Sequence, residues 1–213
     1  MKKTAARRAA AGLIVLLTAV GLYITLTNTS EGILTAYGIE NLKFFTVDSN
    51  LLLGLAYLAE LCLAGTGLWK RSARLRLWTE RLIYIATVAV ALTFTVVAVF
   101  FGPAVGYPPL YQDANLFFHL IVPVLGMVSL CVLHRGRPIP LGETAAALIP
   151  SVLYGAAYTA NLLVRGARFP ETDWYGFASG GVTGAAATAA GVLVTTWLLA
   201  LLLRRAAGGP DTD

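Results

Sequence analysis

The residues best suited to chemistry form two short polar clusters, one near position 46 and one near position 119. Thr46 and Asn50 are four residues apart, as are Asn115 and His119, so each pair shares one face if its segment is helical. A hydroxyl is a weak nucleophile until a base accepts its proton, and histidine is the usual base near neutral pH. Thr46 and His119 therefore have the residue types of a nucleophile and its base, provided that the fold brings them together.

The same clusters also allow purely structural roles. A threonine near a helix end often bonds only to its own backbone, and a lone histidine often satisfies a neighbouring carbonyl. Asn50 and Asn115 could link helices through hydrogen bonds, or one of them could donate to an oxyanion. Asp48 would face nearly the opposite way from the threonine on a regular helix, so it could pair with Lys43 or Arg165 instead, and it is also a candidate for binding the substrate.

The elements that must position these residues are transmembrane helices. Of the 213 residues, 57% are apolar and only 13% are charged, and the mean hydropathy is +0.72, whereas a soluble domain has about 25% charged residues. Six apolar segments approach the roughly 20 residues that cross a bilayer. They span residues 9–27, 44–65, 82–101, 116–133, 145–164 and 178–203. The sequence thus predicts an all-α polytopic membrane protein, with residues 1–213 forming a single six-helix domain, and disfavours a soluble enzyme.

The distribution of basic residues predicts the topology. Of the sixteen Lys and Arg residues, all but Lys43, Arg165 and Arg168 fall on one side of the predicted spans. Under the positive-inside rule this side is cytoplasmic, so both termini are expected in the cytoplasm and the protein in the plasma or inner membrane. Thr46 and His119 would then lie at similar depth near the outer surface. The basic residues are dispersed over short loops, where anionic lipid headgroups explain them better than a nucleic acid.

Metal and cofactor sites have little support in the sequence. His119 and His134 are 15 residues apart on one predicted helix, which separates them by about 22 Å at 1.5 Å per residue. They cannot ligate one zinc ion or haem within one chain. Cys62 and Cys131 lie inside apolar runs without the paired spacing of a redox or zinc motif. We expect no metal and no cofactor; the oligomeric state is not predicted.

Other polar residues at membrane depth need an explanation because their burial in lipid is costly. Glu60, in the inner half of the second span, has no obvious basic partner and could carry a proton or reach towards the interface. Tyr154, Tyr158 and Asn161 form one polar stripe on the fifth span that could complete a cavity. Ser179 is a weaker nucleophile candidate, because the first glycine of the G-x-S-x-G elbow is missing.

Several short motifs resemble those of a known family. They are the Lys-Phe-Phe-Thr run at 43–46, Asn115 four residues before His119, Pro123 shortly after it, and the Trp174-Tyr175 pair before the last span. Together they resemble the androgen-induced and androgen-dependent TFPI-regulating protein family. Members are multi-pass membrane hydrolases that cleave fatty acid esters of hydroxy fatty acids with a threonine and a histidine. The compact, Ala-, Gly- and Arg-rich chain looks like a bacterial relative.

The resemblance implies that Thr46 is the nucleophile, that His119 is the base, and that the partner is a lipid ester entering from the surrounding membrane lipids. The rival hypothesis is a transporter or binding protein, in which Glu60, Asp48 and His119 carry a proton or a small molecule. No inverted repeat or broken helix pair typical of transporters is visible, so this hypothesis ranks second. A structural or regulatory membrane protein without chemistry is the third alternative.

Overall fold

Six long helices dominate the computed structural model, which describes residues 2–136 and 138–208. Arg137, one of the basic residues used to predict the topology, lies outside the described residues. All six helices are long and apolar enough to cross a membrane, and no β-strand occurs in the described ranges. The prediction of an all-α polytopic membrane protein with six spans is therefore confirmed. The helices are α1 (Lys3–Leu26), α2 (Phe45–Gly65), α3 (Ala73–Val105), α4 (Asp113–Leu133), α5 (Leu141–Arg165) and α6 (Gly181–Gly208).

Some helix boundaries differ from the predicted spans. Helix α3 begins nine residues before the predicted start at 82, because its charged first turns continue the helix beyond the apolar stretch, and Ser72 caps it by accepting the Leu75 N–H at 3.3 Å. Helix α6 begins at Gly181 instead of residue 178. The residues before it form turns. Gly176 in these turns and Gly181 at the start of the helix have φ values of +70° and +67°, a conformation that glycine adopts without steric cost.

Helices α1 to α4 form the packed centre of the bundle, and α5 and α6 lie at its periphery. Close approach of α1 and α2 depends on Gly54, because a Cβ atom there would lie 2.7 Å from Thr18. Tyr84 ties α3 to α6 by donating its hydroxyl to the Ala200 carbonyl at 2.7 Å. The largest fully buried aliphatic and aromatic side chains are Ile14, Leu53, Tyr57, Ile83, Tyr84, Val88, Val90, Val97, Leu110, Phe118 and Val122.

Both described chain ends lie at the same end of the bundle, which we call the termini end. There Lys3 Nζ donates to the Arg135 carbonyl at 3.4 Å, and the Gly136 N–H donates to the Ala207 carbonyl at 3.0 Å. The opposite end, which we call the loop end, is formed by the connections at 27–44, 106–112 and 166–180. Thr46 and His119 both lie near the loop end, at the beginnings of α2 and α4.

Glu60 has basic partners at the termini end, contrary to the expectation from sequence. Its carboxylate accepts hydrogen bonds from Arg7 Nε and pairs with His134 Nε2 at 3.2 Å. Helix α1 begins well before the predicted first span, so Arg7 is brought alongside α2. His134 Nδ1 also faces a carbonyl, that of Ser129 at 3.1 Å. The cluster joins α1, α2 and α4.

Replacing Glu60 with glutamine is expected to destabilise the protein. The change removes the carboxylate that is hydrogen-bonded to Arg7, in a site where the Glu60 side chain is only 5% exposed, and leaves Arg7 with the Glu80 carboxylate at 3.6 Å. Breaking a buried pair costs about 3 kcal/mol. The measurement is the thermal unfolding midpoint in detergent. Arg8→Gln is the matched control, because Arg8 is exposed on the same helix. Equal midpoints for the two variants would contradict a structural role for Glu60.

Candidate active site

Thr46 and His119 meet in the folded protein, although they are 73 residues apart in the chain. The Oγ1 of Thr46 lies 3.5 Å from Nε2 of His119, and the side chains are buried, with relative exposures of 7% and 0% for the two residues. This distance is longer than the roughly 2.6–3.2 Å of a formed catalytic hydrogen bond, but such bonds are often long in ligand-free enzymes and tighten with substrate. The geometry brings together the two predicted residues in a nucleophile and base arrangement.

A backbone carbonyl orients the imidazole of His119. Nδ1 lies 2.7 Å from the carbonyl oxygen of Leu110 in the short helical turn Pro108–Tyr111. A carbonyl can only accept, so Nδ1 carries the proton and Nε2 presents its lone pair to Thr46. This tautomer is the one that a general base requires. The sequence offered no orienting carboxylate, and Leu110 could not have been named from it because every residue has a carbonyl.

Asn50 supplies a hydrogen bond that the helix around His119 lacks. The turn Phe117–Ile121 is π-helical, so the Val122 N–H bonds to the Phe117 carbonyl, five residues back. Pro123 has no N–H to continue this pattern, which leaves the Phe118 carbonyl without a helical donor. Asn50 Nδ2 donates to this carbonyl at 3.0 Å. The fully buried amide thereby joins α2 to the residue next to His119.

The same amide group also fixes the nucleophile. Asn50 Nδ2 donates its second hydrogen to the Thr46 carbonyl at 2.8 Å, and no donor reaches the buried Oδ1 in the described part of the chain. Both amide hydrogens are thus used by backbone carbonyls. Asn50 therefore positions Thr46 and His119 relative to each other and is not available as the oxyanion donor considered from the sequence.

Asn50→Asp is expected to lower kcat by about 10- to 100-fold, because small misplacements of reacting groups have effects of this size. The substitution keeps the side-chain volume and removes both donors. A positioning role predicts a loss in kcat at nearly constant KM, measured with a soluble fatty acid ester. A KM increase at unchanged kcat would instead indicate that Asn50 contacts the substrate, and would contradict this assignment.

Asn115 and Asp48 take no part in the contact between Thr46 and His119. Asn115 Nδ2 donates to Thr35 Oγ1 at 3.1 Å, so this amide ties α4 to the loop after α1. Asp48 is exposed in the first turn of α2, and in the described residues no ion pair joins it to Lys43 or Arg165. The pairing considered for Asp48 is therefore wrong, because the Lys43 ammonium lies over aromatic rings instead.

The polar stripe on α5 holds the loop at 166–180 against the bundle. Tyr154 accepts the Trp174 Nε1–H at 3.0 Å, Tyr158 donates to Asp173, and Asn161 Nδ2 donates to the Thr172 carbonyl at 2.9 Å. Tyr154 also donates to the carbonyl of Lys43, just before α2, at 2.5 Å. Tyr154 and Tyr158 also line the large cavity described below, as the sequence suggested. Asn161 does not line it.

Tyr175, which the sequence marked only as part of the Trp174-Tyr175 pair, is a residue of the site. Its hydroxyl accepts the Phe45 N–H at 3.0 Å and so satisfies the first amide of α2, one residue before Thr46. Burial raises the pKa of Tyr175 well above its usual value, so the phenol is neutral. A signal was present in the sequence: Phe44, at the N-cap position, has no side-chain acceptor for the helix amides.

A cavity of about 600 Å³ extends from Thr46 between α2, α3, α5 and α6. Its walls are mainly aliphatic and aromatic, and they include Leu92, Val96 and Phe101 of α3. The α5 residues Thr159 and Leu163 line the cavity and are also exposed, Leu163 by 82%. The cavity therefore opens sideways between helices, on the surface that faces the membrane.

A second, smaller cavity of about 170 Å³ lies on the other side of Thr46, at the loop end. We call it the polar chamber. It is bounded by the loop after α1 and by the beginning of α4, and many of its walls are polar. Its polar lining residues are Thr25, Asn28, Ser30, Glu31, Thr35, Asn41, Thr46, Gln112, Asp113 and Asn115. Thr46 lines both cavities, so this residue lies where an apolar and a polar compartment meet.

Other chemical candidates are less well placed. Ser179 is exposed, and its hydroxyl donates to the Gly176 carbonyl at 2.7 Å. Within the described ranges, no group of three His, Cys, Asp or Glu side chains has the geometry of a metal site. The comparisons with known proteins found no matching family model, no similar curated protein and no similar solved structure.

Proposed function

We propose that this protein is a membrane-embedded hydrolase of fatty acid esters, with Thr46 as the nucleophile and His119 as the general base. One observation carries the proposal: Thr46 lines both an apolar and a polar cavity, and its hydroxyl faces the unprotonated nitrogen of a buried histidine. An ester with a long acyl chain matches this pair of cavities, because its apolar acyl part and its polar alcohol part meet at the scissile bond. The activity agrees with the resemblance to the androgen-induced and androgen-dependent TFPI-regulating proteins.

The reaction proceeds in two steps through a covalent intermediate. In the first step, Thr46 Oγ1 bonds to the ester carbonyl carbon while its proton passes to His119 Nε2. The bond from this carbon to the alcohol oxygen breaks, and the alcohol leaves with the proton from Nε2. In the second step, water attacks the threonyl ester and gives a proton to Nε2. The fatty acid leaves, and Thr46 regains its proton.

The oxyanion of each step would lie near the beginning of α2. The N-terminus of a helix has a partial positive charge, and its first-turn amides have no acceptor within the helix. Tyr175 accepts the amide of Phe45, which leaves the amide of Thr46 itself as the nearest donor. This arrangement replaces the asparagine donors considered from the sequence.

The cavities also suggest the routes of substrate and water. The acyl chain enters the large cavity sideways from the bilayer, and water reaches Thr46 through the polar chamber. If the termini are cytoplasmic, as the basic residues predict, the polar chamber opens towards the outer side of the plasma or inner membrane.

Labelling with a fluorophosphonate probe tests the proposed nucleophile. The probe phosphonylates only an activated hydroxyl, so the purified protein in nanodiscs should be labelled, and peptide mapping should locate the label on Thr46. Labelling should be lost in Thr46→Ala and His119→Ala but retained in Ser179→Ala, the matched control for an unactivated hydroxyl. Failure of the folded wild-type protein both to react and to cleave 4-nitrophenyl oleate would refute the hydrolase proposal.

A further inference from the structure

The polar chamber has a charge that restricts the alcohol part of the substrate. Two carboxylates, those of Glu31 and Asp113, line it, and no Lys, Arg or His is among the described residues that do so. The nearest basic side chain in sequence to Thr46, Lys43, places its ammonium group 5.5 Å from the Phe44 ring centroid and 5.9 Å from that of Trp174. The chamber therefore has no cation with which to bind an anionic alcohol, and its carboxylates would repel one.

The hydrogen-bonding groups of the chamber point to the same class of ligand. Three of its four side-chain amides use their NH₂ groups within the protein. Asn28 donates to the carbonyls of Ser30 and Ala36, Asn41 donates to that of Thr25, and Asn115 donates to the hydroxyl of Thr35. The carboxylate oxygens of the two acidic residues can only accept. The chamber thus offers mainly acceptors, which suit a ligand with several hydroxyl donors.

The sizes of the two cavities limit the number of apolar chains. The apolar cavity of about 600 Å³ can take the acyl chain, whereas the polar chamber of about 170 Å³ is too small and too polar for a second one. A hydroxy fatty acid, which combines a long chain with a carboxylate, is therefore poorly matched to this chamber in volume and in charge.

Resting on the function proposed above, we propose that the substrate is a single-chain fatty acid ester of a small, uncharged polyol. The acyl chain occupies the apolar cavity, and the polyol occupies the polar chamber, where Glu31 and Asp113 accept its hydroxyl groups. After the first step, the polyol leaves through the chamber at the loop end.

Three esters with the same oleoyl chain test this inference on the wild-type protein in nanodiscs. 1-Oleoylglycerol has a small neutral alcohol, the oleoyl ester of 9-hydroxystearic acid has a long anionic one, and 4-nitrophenyl oleate reports ester hydrolysis with a reactive leaving group. We expect kcat/KM for 1-oleoylglycerol to exceed that for the hydroxystearate ester by about tenfold or more, because the carboxylates of Glu31 and Asp113 repel the carboxylate of the hydroxystearate ester.

The double variant Glu31→Gln/Asp113→Asn tests the origin of this preference. Without the two negative charges, the ratio of kcat/KM for 1-oleoylglycerol to that for the hydroxystearate ester should narrow to a few-fold. The control is Glu40→Gln, which removes an exposed charge near the chamber but outside its lining and should preserve the ratio. Equal or faster cleavage of the hydroxystearate ester by the wild type, with 4-nitrophenyl oleate still cleaved, would overturn the polyol inference and leave the hydrolase proposal intact. Absence of cleavage of all three esters would overturn both.

Discussion

Replacement of Thr46 by valine is expected to lower kcat/KM for a fatty acid ester by about 10³-fold or more, because removal of a nucleophile abolishes the covalent route. Valine has nearly the same shape as threonine, so the walls of both cavities are retained. Thr46→Ser keeps the hydroxyl beside His119 and should retain measurable hydrolysis. The rate is measured with 4-nitrophenyl oleate on purified protein in nanodiscs.

Thr159→Val is the matched control for this experiment. Thr159 lines the same apolar cavity, but it lies on α5 at the exposed surface. The two valine variants remove the same group from the same cavity, so any general effect on acyl-chain binding should appear in both. Equal activity of Thr46→Val and Thr159→Val would show that the Thr46 hydroxyl has no part in the chemistry.

His119→Gln should lower kcat by about 10²- to 10⁴-fold, the usual contribution of a general base. Glutamine can still donate a hydrogen bond to the Leu110 carbonyl, but its amide cannot take the proton of Thr46. The variant should therefore fold and bind the ester, while the chemical step is slow. Single-turnover kinetics with 4-nitrophenyl oleate would locate the defect in the release of 4-nitrophenol.

The second histidine of the chain provides the control. His134 lies at the termini end, paired with Glu60, and it contacts neither cavity that includes Thr46. His134→Gln should lower the thermal unfolding midpoint with little effect on kcat. If the two histidine variants lost activity in parallel with their unfolding midpoints, His119 would have a structural role only.

Several features of the protein follow from the sequence alone. The six apolar segments predict the number of spans, because a chain in lipid must satisfy its backbone hydrogen bonds within helices. The polar residues at membrane depth identify the candidates Thr46 and His119, since their cost in lipid requires a compensating role. Alternating spans also place both residues near the same end of the bundle, and the helices do so.

The tertiary structure decided which of these candidates meet and what their neighbours do. The Thr46–His119 contact, the Leu110 carbonyl that sets the tautomer, and the bond from Asn50 to the Phe118 carbonyl all join segments distant in the chain. Sequence periodicity indicates which face of a helix is polar, but it does not specify which helix packs against that face. The same reason explains why Glu60 appeared unpaired until the packing of α1 brought Arg7 beside it.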